Sequence, residues 1–190
     1  MSRPSRLPVF PALSRLLHWL MAVMILAMLF IGIGMEASLS NYNWLLSVHR
    51  PLGIAILILA AGRLINRQFN PPPPLPSGMP VWLRFAAHAS HIGLYGLMFA
   101  VPLIGWAMLS AARYPVVLYG GLVLPPILPQ NDMVFAVLRS THTVLAFTLF
   151  ALILAHIGAA LMHAIGFRDG VFQSMASVRR LRPDPASGGQ

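Results

Sequence analysis

Three histidines punctuate the last long apolar run of the chain, Thr141 to His163 (THTVLAFTLFALILAHIGAALMH): His142, His156 and His163. A helix turns about 100° per residue, so His156 comes within roughly 40° of His142 and His163 within roughly 20° of His156. All three are expected on one face. At about 1.5 Å per residue, His142 and His156 stand about 21 Å apart along the axis, one toward each edge of a hydrocarbon layer about 30 Å thick. Neutral imidazole is a common ligand for metal ions and for haem iron. Two rings at two depths point to two metal centres stacked across a membrane, each needing a partner from another helix.

The elements that must position them follow from composition. Of 190 residues, 57% are hydrophobic and only 9% are charged, whereas a soluble domain carries about 25% charge. This reads as an integral membrane protein with lipid as its surroundings, long enough for one compact helical bundle. Cysteine is absent from the sequence, which excludes disulfides, iron–sulfur clusters and thiolate-ligated haem. All thirteen basic residues are arginines, against four acids. In a membrane protein that excess sets orientation and headgroup contact rather than nucleic-acid binding.

Residues 1–15, with Arg3, Arg6 and Arg15, read as a short cytoplasmic arm. Residues 16–165 read as the four-helix transmembrane domain. Its first segment is Leu16 to Met35, with His18 at the arginine-flanked end; a polar turn, 36–44, follows. The second runs from Leu45 to Ile65, with His49 and Arg50 near its start and Pro51 at an early helical position. Arg63 and Arg67 lead into NPPPPLPSGMP, a stiff proline linker. The third segment runs from Val81 to Ala111, with His88 and His91 in its first turns and Pro102 near its middle. Residues 112–138, broken by Pro115, Pro125, Pro126, Pro129 and the Gly120–Gly121 pair, read as an interfacial outer loop with at most one short helix. Residues 166–190 read as a basic cytoplasmic tail with a disordered end. The fold class is therefore all-α, a membrane four-helix bundle. Arginine placement gives it an N-in, C-in topology by the positive-inside rule.

Depth then sorts the histidines. His49 and His142 lie toward the outer side, on the second and fourth segments, and pair there. On the inner side His156 needs a partner from His18, His88 or His91, and His18 has the matching depth. Two bis-histidine sites in a four-helix bundle are a familiar way to hold two b-type haems. The plainer alternative is that some of these histidines anchor the interface or bond between helices. A zinc protease is disfavoured by the lack of HExxH. A di-iron bundle is disfavoured because Glu36 is the only glutamate.

The motifs carry a resemblance. His18–Trp19, His49 followed by Gly53, AHxxH at Ala87–His91, VPLIGWAM at Val101–Met108 and THTVLA…LAHIGAALMH in the fourth segment resemble the bacterial cytochrome b561 family. The similarity extends to its short four-helix members of the superoxide oxidase type, over about residues 10 to 175. The resemblance implies haem b between His18 and His156 on the cytoplasmic side and a second haem b between His49 and His142 on the periplasmic side. It also implies a bacterial inner-membrane location. His88, His91 and His163 match further family histidines that are not axial ligands, placed near haem propionates or quinone, with Arg15 and Arg84 able to hold a carbonyl or propionate oxygen. The chain departs from the family in having no lysine and in carrying Arg50 right after an outer ligand.

The implied activity is oxidation of superoxide to oxygen with ubiquinone as acceptor, a superoxide:quinone oxidoreductase. Arg50, Arg113 and Arg139 at the outer mouth would draw in the anionic substrate; headgroup contact is their plainer role. The alternative is a haem b membrane electron-transfer subunit linking quinone to a partner dehydrogenase, hydrogenase or cytochrome.

Overall fold

The computed structural model describes residues 9–76 and 78–176. The arginines expected in the arm, Arg3 and Arg6, and in the tail, Arg179, Arg180 and Arg182, lie outside the described residues. Four long helices dominate: α1 (Ala12–Ala37), α2 (Tyr42–Phe69), α3 (Val81–Ala111) and α4 (Asp132–Leu161). Each is long and apolar enough to cross a membrane, and the protein is a multi-pass membrane four-helix bundle. Val23, Phe30, Ile58 and Phe147 point outward and are 62–73% exposed. Such a surface would be untenable in water over this area and suits lipid.

Local chemistry sets the boundaries. Pro11 and Pro80 sit in extended backbone just ahead of α1 and α3, with fixed φ and no N–H to leave unpaired. Asn131 caps α4, its side-chain oxygen accepting the Val134 N–H at 3.0 Å, and Asp132 follows where the helix dipole favours an acid. This cap starts α4 nine residues before Thr141, so the outer connection is shorter than the sequence suggested. Likewise α1 starts four residues before Leu16, and Arg15 lies in its first turn rather than in an arm. Helix α3 has the expected limits.

The outer connection carries a small hairpin with one short 3-10 helix, Tyr119–Gly121, at its tip. Strand β1 (Val116–Val117) pairs antiparallel with β2 (Val123–Leu124), Val116 opposite Leu124. Between them Gly120 and Gly121 both take φ near 80°, which side chains disfavour. The hairpin is tied to α3. Trp106 Nε1 donates to the Pro125 carbonyl at 3.1 Å, and the Ile127 N–H donates to Ser110 Oγ at 3.1 Å. At the other end α4 passes into a π-helical turn, Met162–Phe167. The left-handed Arg168 (φ 51°) ends that turn, and the short α5 (Val171–Ala176) follows. The Phe10 N–H donates to the Ser174 carbonyl at 3.0 Å, so the start of α1 and the end of the described chain lie together. This is called the termini end, and the opposite one the hairpin end.

Packing divides the bundle into two antiparallel pairs, α1 with α2 and α3 with α4; α2 meets α3 more thinly, and α4 approaches α1 and α2 loosely. Ser14 faces Asn66, Met28 faces Gly53, and Gly34 faces Leu45, which fixes the register of the first pair. Gly93 against Leu152 and Gly105 against His142 fix the second. Midway lies the core of Met21, Ile25, Ile56, Ala60 and Met98, where flexible methionines fill an irregular space.

Candidate cofactor site

The two registers arrange the histidines in two levels. In the α1–α2 register, His49 lies level with about position 31 of α1, thirteen residues or about 20 Å from His18. On α4, His142 and His156 are fourteen residues or about 21 Å apart. The two spans agree, so each histidine of α4 meets a partner at its own depth.

At the hairpin end the rings of His49 and His142 face each other with centroids 6.2 Å apart. At the termini end His18 and His156 are 6.5 Å apart. Two imidazoles that share one metal have centroids about 6.3 Å apart, given metal–nitrogen bonds of about 2.0–2.1 Å and roughly 1.1 Å more to each ring centre. Both pairs suit a shared iron. His18 and His49 each have a buried Nδ1 with no hydrogen-bond partner among the described residues, unlike a satisfied core histidine. Both pairs lie in the seam where α4 approaches α1 and α2 only loosely. The spacing, the lack of competing bonds to His18 and His49 and the loose seam together fit a bis-histidine haem at each level.

The surroundings of the hairpin-end pair orient it. His142 Nδ1 lies 3.1 Å from the Val101 carbonyl. Donation to that oxygen fixes the tautomer and leaves Nε2 free to bind a metal. Gly105 lies against the same ring: a Cβ there would sit 3.1 Å from His142 Cε1 and 3.3 Å from Nδ1. Neither contact was legible from the sequence. An added Cβ at Gly53 would make only an ordinary 3.7 Å contact with Met28, and one at Gly158 would touch nothing within 4 Å.

The termini-end level is more crowded. His91 on α3 also approaches His156, with centroids 5.7 Å apart, closer than a shared iron would set two rings. Trp19 packs edge-on against His18 at 5.4 Å, and its Nε1 donates to the Met175 carbonyl at 3.4 Å. His88 stays out of the cluster, its Nδ1 2.8 Å from the Arg84 carbonyl of its own helix. His163, expected on the face of His142 and His156, makes its contacts beyond α4. It stands in the π-helical turn, where its Nδ1 lies 2.6 Å from Asp169 Oδ2 and the Phe167 ring 5.2 Å from its own. Arg84 Nη2 donates to the Pro76 carbonyl at 3.3 Å, and Arg15 is half-buried in the first turn of α1.

The three outer arginines differ in setting. Arg50 is half-buried, and its Nη1 donates to the Pro115 carbonyl at 3.5 Å. Arg113 is exposed, in a left-handed backbone that ends α3, and borders a cavity of about 390 Å³ between the hairpin and α3 together with Trp106, Tyr114 and Leu124. Arg139 is exposed on α4. Among the described residues no group of three or more His, Asp or Glu side chains converges as a metal site, so paired histidines are the chemistry available.

The chain also matches known proteins. The model of the family described as prokaryotic cytochrome b561 matches residues 9–177. The chain is 30% identical over 171 residues to cytochrome b561 homolog 2 of Escherichia coli (strain K12), covering 87% of this chain and 90% of that protein. It is 32% identical over 168 residues to a Yersinia pestis protein named probable superoxide oxidase CybB, covering 86% and 93%. It is 30% identical over 141 residues to cytochrome b561 homolog 1 of Escherichia coli (strain K12), covering 74% and 80%.

Proposed function

The chain belongs to the prokaryotic cytochrome b561 family of membrane haem electron-transfer proteins, and we propose that it holds two haem b groups and passes electrons from superoxide to ubiquinone. His49 and His142 hold one haem, and His18 and His156 hold the other. The observation that carries this reading is the facing pair of imidazoles at each of two levels, 6.2 and 6.5 Å between centroids. Similarity to a protein named probable superoxide oxidase supports the choice of donor. When bound, bis-imidazole haem b supplies a six-coordinate iron that exchanges single electrons.

The chain's own residues hold and shield these sites. The Val101 carbonyl fixes the His142 ring, Gly105 lets α3 pass close behind it, and the Met21–Ile25–Ile56–Ala60–Met98 core keeps water out between the levels. The positive-inside rule places the termini end, with Arg15, Arg63, Arg67, Arg84 and Arg168, in the cytoplasm of a bacterial inner membrane. The hairpin end then faces the periplasm. Arg50, Arg113 and Arg139 there raise the local concentration of a small anion. Two superoxide ions each lose one electron and leave as dioxygen. One ubiquinone takes up the two electrons with two protons and becomes ubiquinol. His91, His88 and His163 are the protonatable side chains for that uptake, and Arg15 and Arg84 can donate to a quinone carbonyl oxygen.

The test is haem content and a reduced-minus-oxidised spectrum on the detergent-purified protein, followed by a pulse of superoxide with and without quinone. Two b-type haems per chain, reduced by superoxide and reoxidised by quinone, are expected. Haems that respond only to quinol or to a partner protein would replace this reading with that of an electron-transfer subunit. A colourless protein from haem-replete cells would overturn it.

A further inference from the structure

Among the described residues, no acid answers two arginines at the termini end. Arg63 and Arg67 stand one turn apart on α2, and both guanidinium groups lie against the Tyr95 ring of α3, 5.7 and 5.9 Å from its centroid. Like charges four residues apart on a helix repel, and both side chains are half-buried. The described residues include three carboxylates: Glu36 and Asp132 at the hairpin end, and Asp169, which is engaged by His163. Among the described residues Arg63 finds Met21 Sδ as its one acceptor, 3.7 Å from its Nη1, and a thioether is a weak acceptor. A positive pair set this way on an aromatic face calls for a bound anion.

Position says which anion. In the α1–α2 register Ser14 faces Asn66 and Met21 touches Arg63, so Arg63 lies at the depth of His18 and Arg67 one turn nearer the membrane surface. Both arginines line a cavity of about 30 Å³, together with Ser14, Asn66, Asn70 and Tyr95. The neighbouring polar side chains are already occupied with one another, Asn66 Nδ2 donating to Ser14 Oγ at 2.8 Å and Asn70 Nδ2 to Asn66 Oδ1 at 3.0 Å.

We propose that Arg63 and Arg67, stacked on Tyr95, form an oxyanion site for the two carboxylates of the haem held by His18 and His156. The pair matches that group in charge, two against two, and lies at the depth of its ligands. This rests on the haem reading above. Tyr95 serves as a positioning residue that keeps the two guanidiniums on one face. Besides holding the haem, fixed positive charge here favours its reduced form and so raises its potential above that of the hairpin-end haem.

The test is a potentiometric titration of the purified full-length protein, in detergent and in nanodiscs of either neutral or anionic phospholipid, with haem per chain measured in parallel. Arg63→Gln and Arg67→Gln are each expected to lower the reduced-to-oxidised ratio of the termini-end haem about tenfold at fixed poise, about 59 mV for a one-electron couple. The other haem should keep its potential, the His49→Ala background identifying which is which. Arg63→Lys, which keeps the charge, should restore most of the loss. Unchanged potentials in both Gln variants, with two haems still bound, would overturn the assignment while leaving the haem reading intact. A shift seen only in anionic nanodiscs would assign the site to a lipid phosphate and overturn it too. A colourless wild-type protein would remove both readings together.

Discussion

At the scale of single residues, Gly105 makes the sharpest demand on the hairpin-end pair. A Cβ built there meets the His142 ring at 3.1 Å, so Gly105→Ala must push the imidazole by a few tenths of an ångström, and Gly105→Val by more. The expected result is a shifted potential or partial loss of the hairpin-end haem in the alanine variant and a larger loss in the valine one. The termini-end haem should titrate as before. An unaltered titration in Gly105→Val would show that His142 is not a ligand. His49→Ala and His142→Ala should each take haem per chain from two to one; loss of both haems with helical circular dichroism intact would sink the pairing. The histidines were legible in the sequence because imidazole is scarce inside membranes and its spacing along a helix converts directly into depth. Gly105 and the Val101 carbonyl were not. They lie on another helix, and only the α3–α4 register brings them to His142. Arg63 and Arg67 were visible as charges before a proline linker, but nothing along one strand of sequence announces that both will share the Tyr95 ring.

At the scale of elements, apolar length fixed the existence of four helices, and helix ends were the weak point. The reading let proline and glycine extend the outer loop to residue 138, although the Asn131–Asp132 cap lies just after the last proline. It also continued α-helical geometry through His163, because a π-helical turn has no composition that marks it off from an ordinary helix. That turn has consequences of its own. It directs His163 to Asp169, and Asp169 Oδ1 also accepts the Val171 N–H at 3.1 Å. One carboxylate thus joins the end of α4 to the start of α5, which in turn covers the termini-end site through the Met175 carbonyl and Trp19. Asp169→Asn preserves the shape and removes the charge, at a cost of about 1.5–3 kcal/mol if the bond is charge-assisted. Hydrogen exchange over Val171–Ala176 is expected to quicken by one to two orders of magnitude on that scale, while the four long helices keep their protection and haem content is unchanged. Exchange equal to wild type would mean that α5 is held by packing and not by this pair.

At the scale of the whole molecule, charge is distributed by end, and that bears on how an anionic substrate would arrive. The chain carries a formal net charge of +9, but the hairpin end sets Arg50, Arg113 and Arg139 against Glu36 and Asp132, leaving one net positive charge there. Steering from so small a surplus belongs at the low end of the roughly 10–10³-fold range known for focused fields. It also depends on placement: Arg50 is half-buried with its guanidinium against the Pro115 carbonyl, near the level of His49, while the other two arginines are exposed. Replacing all three with Gln turns the end from one positive charge to two negative ones, so attraction becomes repulsion. The superoxide-dependent rate of haem reduction should then fall about tenfold at low ionic strength. The difference from wild type should close toward 1 M salt, where the screening length is about 3 Å. Arg50→Gln alone should account for most of the fall, since a charge close to the His49–His142 pair is screened less than one on the surface. Equal losses from the three single variants would place the effect in the general field of that end. A loss independent of salt would assign the arginines to holding the hairpin rather than to drawing in the substrate.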